Sequence, residues 1–417
     1  MITEEELELL TKRLVRRIEQ QNVLFLRKIG ENVKKIGNLS YTDAHKLVQM
    51  LQYGSSYDGL IKQLEKYTSL NINDIDKILS NYAEKDLNFA KNFYAYRNIP
   101  FVPFNENEVL KQQTIALANI VKKEMYDYFR TNVLGYTITD EKGNVIFKGL
   151  KDVYNEVLDD ALLNVSTGKE TFDSAMFGIL KDIGQSGLKT INYQSGRSIR
   201  LDSALRMHLN SRIGELHNEI QQYIGNILNT DGVEISVHMN PAPDHQYAQG
   251  KQFSNEEFDK LQEGRVARDY KGRNVTLNHN HQNTYRPISE LNCKHYIFSI
   301  ILGVDDPQYS EEQLKEIIEK NDEGFKLYDK RSGNYKHYTN YEGTQLMRNL
   351  ERKIREQKDM QILGVSSNNR DLIDESQKNI TKLTKQYNEI SKISGLPTKM
   401  DRLRVPNYKR VAKSKLK

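Results

Sequence analysis

The chain has one cysteine, Cys293, and no tryptophan among its 417 residues. A single cysteine cannot form a disulfide within the chain, so the sequence does not require an oxidising compartment. It also excludes a metal cage built from several cysteines. Glycine and proline are scarce, at 24 and 8 residues. Because these two residues are the strongest helix breakers, their scarcity favours a helix-rich chain.

Long apolar runs and familiar catalytic motifs are also missing. The longest conspicuous apolar run, 296–304, falls far short of the roughly 20 residues that a membrane-spanning helix needs. The first ten residues, MITEEELELL, are acidic, unlike a secretory signal. The sequence lacks a G-x4-GK[ST] phosphate loop, an H-E-x-x-H zinc helix and a G-x-S-x-G elbow. We therefore expect a protein without a membrane anchor, made in a cytoplasm, and not an enzyme.

Positive charge is concentrated at the carboxyl end of the chain. The formal net charge is +5, and the last sixteen residues contain basic side chains but no acidic ones. The basic residues there are Arg402, Arg404, Lys409, Arg410, Lys413, Lys415 and Lys417. Two interpretations stay open: a tail that binds DNA phosphates with Tyr408 stacking on a base, or a solvated terminus.

Apolar residues recur at helical spacing along most of the chain. The clearest helix is 3–36, and the helix at 340–361 begins with a capping box of Thr339 and Glu342. Further helices are expected at 42–52, 55–67, 73–97, 106–131, 150–166, 170–184, 202–229, 254–263, 310–321 and 369–393. The last of these has apolar residues at heptad-like spacing.

Apolar and polar residues alternate in two segments, as they do in β-strands. Residues 136–147 predict a small hairpin around a Gly-Asn turn. Residues 233–239 predict a strand with Val233 and Ile235 inward and with Glu234 and His238 outward. The expected class is therefore α+β and mainly helical. It comprises long amino-terminal helices, a core with a small sheet in the carboxy-terminal half, then a last helix and a basic tail.

The chain divides into four predicted regions. The extended stretch NIPFVPFNEN, with its two prolines, predicts a boundary near residue 100. We predict a helical region at 1–100 and a helical region with the hairpin at 101–184. The bounds of an α+β core at 185–362, and of the last helix and tail at 363–417, rest on the resemblance of motifs within 191–359 to a known family.

The chemical signal in the sequence is a cluster of histidines around the cysteine. Seven of the nine histidines lie between residues 208 and 295. Thiolate and imidazole are natural zinc ligands, so His238, His245, Cys293 and His295 could form a structural zinc site. A network of hydrogen-bonded histidines is a second interpretation. A third is a hydrolase in which a histidine activates the Cys293 thiol.

Three ordered stretches resemble the phage minor capsid proteins, a head-morphogenesis family related to the F protein of phage Mu. They are INYQSGRSIRLDSALRMHLNSRIGELHNEI (191–220), SVHMNPAPDHQYAQGKQFS (236–254) and RPISELNCKHYIFSIILGV (286–304), the last continuing into 341–359. The sequence departs from the family pattern at Ala242 and at Tyr247, where arginine and tryptophan are usual. The family positions are Gly196, Arg197, Arg206, His238, Pro243, His245, Gly250, Lys251, Asn292, Cys293 and His295.

The resemblance implies a minor structural protein of a tailed-phage head, synthesised in the bacterial host cytoplasm and carried in the virion. It further implies a position at or near the portal vertex, with the portal protein, other head proteins and packaged double-stranded DNA as partners. The alternative is a metal- or cysteine-dependent hydrolase that is carried in the virion or acts in the host.

Overall fold

A computed structural model describes the parts of the chain that carry the fold. The described residues are 4–38, 42, 74–130, 132–139, 145–149, 163–186, 188–190, 199–262, 287–288, 293, 295–329 and 332–409. The helices are α1 (Glu4–Gly37), α2 (74–89), α3 (Lys91–Tyr96), α4 (Glu108–Arg130), α5 (Phe172–Ser186), α6 (Leu201–Leu228), α7 (Asn255–Gln262), α8 (Glu311–Glu323), α9 (Asn340–Ser367) and α10 (Arg370–Ser394). Residues 163–166 form one further helical turn.

The strands form three small antiparallel sheets in the described ranges. They are β1 (Asn132–Thr139), β2 (Val145–Gly149), β3 (Leu188–Thr190), β4 (Ile199–Arg200), β5 (Gly232–Ile235), β6 (Gln252–Ser254), β7 (Ile297–Ile300), β8 (Phe325–Asp329) and β9 (Asn334–Tyr338). Their orders are β2-β1-β3-β4, β6-β5-β7 and β8-β9. The mainly helical α+β class is confirmed.

Most predicted elements in the described residues are confirmed, and one sheet in the structure is not predicted. The expected hairpin is present, with Tyr136 opposite Lys148 and Thr139 opposite Val145. The expected helices at 42–52 and 55–67, and most of the one at 150–166, lie outside the described residues. Periodicity does not predict the β8–β9 sheet, because its strands are largely exposed on both faces.

The predicted strand at 233–239 ends early, and one of its polar side chains is buried although we predict that it is exposed. Ile235 is fully buried as expected, but regular strand pairing stops at this residue. The alternation places Glu234 outward, whereas in the structure it is buried. Hydrogen bonds compensate for the burial of Glu234. Its carboxylate accepts from the Gln252 side chain at 2.9 Å and from the Gln308 backbone N–H at 3.1 Å.

The capping chemistry of α9 matches the prediction. The Thr339 hydroxyl accepts from the Glu342 backbone N–H, and the Glu342 carboxylate accepts from the Thr339 backbone N–H at 2.9 Å. This reciprocal pair satisfies two amides that a helix start leaves without partners. At the other end, Asn368 takes the left-handed conformation with φ 61° and ends the helix.

One hydrophobic core joins all four of the predicted regions. Leu26, Val121, Ile213 and Leu363 come from the four regions in turn, and each is essentially inaccessible to solvent in the same cluster. The four boundaries stay a prediction. Because α9 packs against α1, α5 and α10, the first and last long helices are parts of one packed unit.

A second cluster lies in the hairpin formed by α9 and α10. The heptad-like spacing of α10 is confirmed, because Leu383, Tyr387 and Ile390 turn toward α9 and pack with Met347 and Ile354. The Tyr387 hydroxyl also donates to the buried Glu351 carboxylate at 3.0 Å. The contact between α9 and α10 thus combines apolar packing with a buried hydrogen bond between Tyr387 and Glu351.

A buried ion-pair network crosses the core where α1, α9 and the start of α6 meet. Arg200 contacts Asp202 at 3.1 Å and Asp359 at 2.9 Å, and Arg355 pairs with the second oxygen of Asp202. All four side chains are buried. Burial alone would raise the pKa of Asp202, but Arg355 and Arg200 outweigh it and hold that pKa well below its usual range.

Two further charged groups complete the network. Glu19 on α1 lies 3.4 Å from Arg355, and Arg206 on α6 is close enough to interact with Asp202 and Glu19. Three arginines thus face three carboxylates. Burial raises the pKa of Glu19 to about 7, and the neighbouring Asp202 charge adds to the rise.

We expect Glu19→Gln to stabilise the protein more at pH 8 than at pH 5. Because the pKa of Glu19 rises from 4.5 to about 7 on folding, the folded chain keeps a proton that the unfolded chain releases between those values. Stability therefore falls as pH rises through this window, and glutamine removes the loss. Thermal unfolding of both chains at the two pH values measures the effect. The control is Glu31→Gln, an exposed position on the same helix. A lower melting temperature for Glu19→Gln at pH 8 would contradict the expectation.

Candidate functional site

The small sheet of β5, β6 and β7 brings two distant segments together. β5 and β7 pair antiparallel from Gly232 opposite Ile300 to Ile235 opposite Ile297. The chain after β5 therefore lies beside the chain before β7. Ser236 extends the contact, since its backbone N–H donates to the Tyr296 carbonyl at 2.8 Å and its hydroxyl accepts from the Tyr296 N–H at 2.8 Å.

Residues 241–250 fold into a compact series of turns after β5. The His245 backbone N–H donates to the Ala242 carbonyl at 2.9 Å, and the Gln249 N–H donates to the His245 carbonyl at 3.0 Å. Gly250 then closes the segment with φ 69° and donates to the Ile235 carbonyl at 2.8 Å. We call residues 241–250 the histidine turn.

The sheet places Cys293 between two imidazoles. Its Sγ lies 3.4 Å from Nδ1 of His245, in the histidine turn, and 3.4 Å from Nδ1 of His295. Each of the three residues offers a ligand atom within 4.8 Å of the other two. All three are buried, with Cys293 the most exposed at 7 %. We call them the Cys-His cluster.

The outward nitrogens of the two histidines face oxygen atoms. Nε2 of His295 lies 3.3 Å from Oε1 of Gln249, and Nε2 of His245 lies 3.6 Å from a carboxylate oxygen of Asp244. Asp244 is fully buried and Gln249 nearly so. Residue types and spacing give no reason to select these two residues, although both lie inside the motif that contains His245.

His238, the fourth predicted ligand, lies beside the Cys-His cluster. Its ring meets that of His295 edge-on, with ring centroids 4.4 Å apart. Its backbone N–H donates to Oε1 of Gln249 at 3.1 Å. The structure therefore brings three predicted ligands together and sets the fourth in ring contact with them.

The arrangement allows two kinds of chemistry besides a hydrogen-bond network. A thiolate flanked by two imidazole nitrogens can bind a soft or borderline cation such as Zn²⁺. A thiol beside an imidazole can also act as a nucleophile, but reactive cysteines are partly exposed. At 7 % exposure, Cys293 suits metal binding better than attack on a substrate.

His217 connects the site to the helical core. On α6, its Nδ1 lies 2.8 Å from Asp86 of α2, and its Nε2 lies 2.6 Å from the Ile297 carbonyl oxygen of β7. The ring also packs edge-on against Tyr296, with centroids 4.9 Å apart. This histidine fixes the position of β7, and therefore of the adjacent cluster, relative to the bundle.

Other family positions have structural roles in the described residues. Arg206 belongs to the buried ion network, and Pro243 lies in the histidine turn. Lys251 is exposed, with its Nζ 4.5 Å from the ring centroid of Tyr247. Gly196, Arg197 and Asn292 lie outside the described residues.

The segment after α10 returns across the bundle. We call residues 396–409 the C-terminal strap. Lys358 of α9 donates to the Leu403 carbonyl at 2.5 Å, and the Tyr408 hydroxyl donates to Gln361 at 2.7 Å. Arg27 of α1 donates to the Asn407 carbonyl at 3.0 Å. The Tyr408 side chain, a candidate base-stacking group on sequence grounds, packs against the core in this structure.

The predicted DNA-binding residues divide into two groups. The Arg402 side chain is 16 % exposed and lies 3.9 Å from the Glu351 carboxylate, whereas that of Arg404 is 77 % exposed and lies 3.1 Å from Asp401. Lys409 is also exposed. Arg410, Lys413, Lys415 and Lys417 lie outside the described residues.

We expect Gly250→Ala to destabilise the protein by about 2–4 kcal/mol, because a Cβ there adds a steric clash to an unfavourable φ. That Cβ would overlap Leu314 and lie 2.8 Å from Val237. Gly303 is the matched control, since it has φ 73° and no heavy atom near its ideal Cβ. Gly303→Ala should cost only about 1 kcal/mol. Urea unfolding compares the two, and equal losses would refute the packing argument.

Comparison with known proteins assigns the chain to a family. The model of the family described as phage minor capsid protein 2 matches residues 2–390. No curated protein and no solved structure matches the chain. No helix within the described ranges is long and apolar enough to cross a membrane. Since the match covers nearly the whole chain, the protein belongs to the phage minor capsid protein 2 family and is a structural component of a phage head.

Proposed function

We propose that this minor head protein occupies the portal vertex in few copies and contacts the packaged DNA with a basic surface. Two observations support this proposal. The family is one of minor capsid proteins, and a low copy number suits the one vertex of a tailed-phage head that differs from the others. The second observation is the location of the C-terminal strap, which adds exposed basic groups to one face of α1.

The basic surface combines residues from both ends of the described chain. Lys12 and Arg16 on α1 are exposed beside Asp401, with the Lys12 Nζ 2.6 Å from that carboxylate. Arg404 and Lys409 of the strap are exposed as well. Exposed lysine and arginine side chains that follow one face bind phosphates without reading base sequence. Such binding suits a protein that must accept any packaged sequence.

Arg402 does not belong to this surface in our proposal. Its guanidinium lies against Glu351, which in turn accepts from Tyr387 at 3.0 Å. A guanidinium engaged with a buried carboxylate supports the strap rather than a nucleic acid. On the strap, the basic surface therefore comprises Arg404 and Lys409.

The position in the particle is tested by quantitative mass spectrometry of purified phage, before and after DNA release. We expect a few to about a dozen copies of this chain per particle, counted against the portal and major capsid proteins. Cryo-electron microscopy, or electron microscopy with a labelled antibody, should place these copies at one vertex of the head. Copy numbers comparable with the major capsid protein would refute the vertex assignment, and absence from the particle would refute the structural role there.

The basic surface is tested by the salt dependence of binding to double-stranded DNA. We expect the double change Arg404→Ala and Lys409→Ala to reduce the magnitude of the log–log salt slope by about 2, because each phosphate contact contributes about 0.9. The comparison is Arg402→Ala, which should lower the melting temperature and leave the slope unchanged. A slope insensitive to the double change would remove these two residues from the DNA contact.

A further inference from the structure

We propose that the Cys-His cluster binds one Zn²⁺ ion, with His238 completing a closed set of one thiolate and three imidazoles. The ion would fasten the histidine turn to the segment that precedes β7. The inference does not depend on the proposed position in the phage head, because it rests on the side-chain geometry alone.

The two sulfur–nitrogen separations in the cluster match those of a tetrahedral zinc site. With Zn–S of about 2.3 Å and Zn–N of about 2.0 Å, tetrahedral angles place sulfur and nitrogen about 3.5 Å apart. Cys293 Sγ lies 3.4 Å from Nδ1 of both His245 and His295. Both imidazoles present the same nitrogen to the sulfur, so one ion between them could contact all three atoms.

The outward nitrogens have the partners that zinc-bound histidines use. A histidine that binds zinc through one nitrogen usually donates its other N–H to a carboxylate or a carbonyl oxygen, which fixes the ring. Here Nε2 of His295 faces the Gln249 side-chain oxygen at 3.3 Å, and Nε2 of His245 faces Asp244 at 3.6 Å. The His295 contact lies within hydrogen-bonding distance, and the Asp244 carboxylate lies close enough to His245 to orient its ring.

The local charges also balance around a divalent cation. The Cys293 thiolate and the Asp244 carboxylate contribute two negative charges, and neutral imidazoles contribute none. Both residues are buried, Asp244 completely, and a divalent cation at the cluster would bring charge of the opposite sign close to them. A single Zn²⁺ neutralises the pair.

His238 is assigned the fourth position because structural zinc sites are closed by four protein ligands. Its ring is in edge-on contact with His295 at 4.4 Å between centroids. Its backbone is held by Gln249, the residue that also supports His295. A closed, buried site of this kind stabilises the fold and leaves no position for a substrate.

The first measurement is the metal content of the full chain purified without chelators. We expect about one zinc per chain, falling below about a tenth in Cys293→Ser and in His245→Gln. His208→Gln is the matched control, since the His208 side chain is 8 % exposed, lies 3.0 Å from Glu124 and stands outside the cluster. It should lower stability and keep the metal. A wild-type chain that holds no zinc, even after dialysis against zinc, would overturn the proposal.

Cobalt substitution separates ligation from folding. The Co²⁺-loaded wild type and His208→Gln should both show a thiolate-to-cobalt charge-transfer band and the intense visible bands of tetrahedral cobalt. Cys293→Ser should lose the charge-transfer band. His238→Gln should bind zinc at least about tenfold more weakly. Unchanged affinity in His238→Gln would overturn its assignment as the fourth ligand, and the absence of a charge-transfer band in the wild type would overturn the thiolate site.

The structural role of the metal is tested by chelation. Removing zinc from the wild type should lower its melting temperature by several degrees, and adding zinc back should restore it. Cys293→Ser should show no response to either treatment. A wild-type melting temperature that chelation leaves unchanged would contradict the structural role.

Discussion

The constraint on which the rest of the structure depends is the buried pairing of Arg200, Asp202, Arg355 and Asp359. These residues come from the start of α6 and the middle of α9, with Asp202 and Arg355 153 positions apart in sequence. Taking charges out of water is expensive, and a buried ion pair adds little net stability over an apolar pair of the same size. Leaving one of the charges alone costs about 3–5 kcal/mol. The network therefore acts mainly by penalising other placements of the start of α6 beside α9.

This constraint reaches the Cys-His cluster through α6. Asp202 lies in the first turn of that helix, whereas His217 and Gln221 lie further along it. His217 contacts the Ile297 carbonyl, and Gln221 accepts from the Ser299 backbone N–H at 3.2 Å. One rigid helix therefore fixes β7 relative to the ion network. Cys293 and His295 closely precede β7, so their positions depend on the contacts between α6 and β7. The residues that make those contacts lie outside the Cys-His cluster.

Sequence patterns predict the elements of this fold better than their contacts, for physical reasons. Helical periodicity identifies α1, α6 and α10 because each buries one apolar stripe. It cannot identify β8 and β9, which bury little, or the burial of Glu234, which depends on the distant Gln308 backbone. Clustering of residue types predicts His245, Cys293 and His295 as neighbours, and the structure places them together. Asp244 and Gln249 are not predicted, because no sequence pattern marks a buried polar residue as the partner of a histidine ring. The position of that ring has to be known first.

The basic residues of the C-terminal strap show that neighbours in sequence can differ in exposure. Charge counted along the sequence therefore does not give the charge at the surface of the folded protein. Arg402 and Arg404 are two positions apart, yet one lies against the buried Glu351 and the other is 77 % exposed. The strap reaches α1 only because α9 and α10 form a hairpin that reverses the chain. Lys12 and Arg404, from opposite ends of the sequence, then contribute to one electrostatic surface. Any partner that recognises this surface recognises the packed bundle, because the fold and not the order of the sequence sets which basic groups lie together.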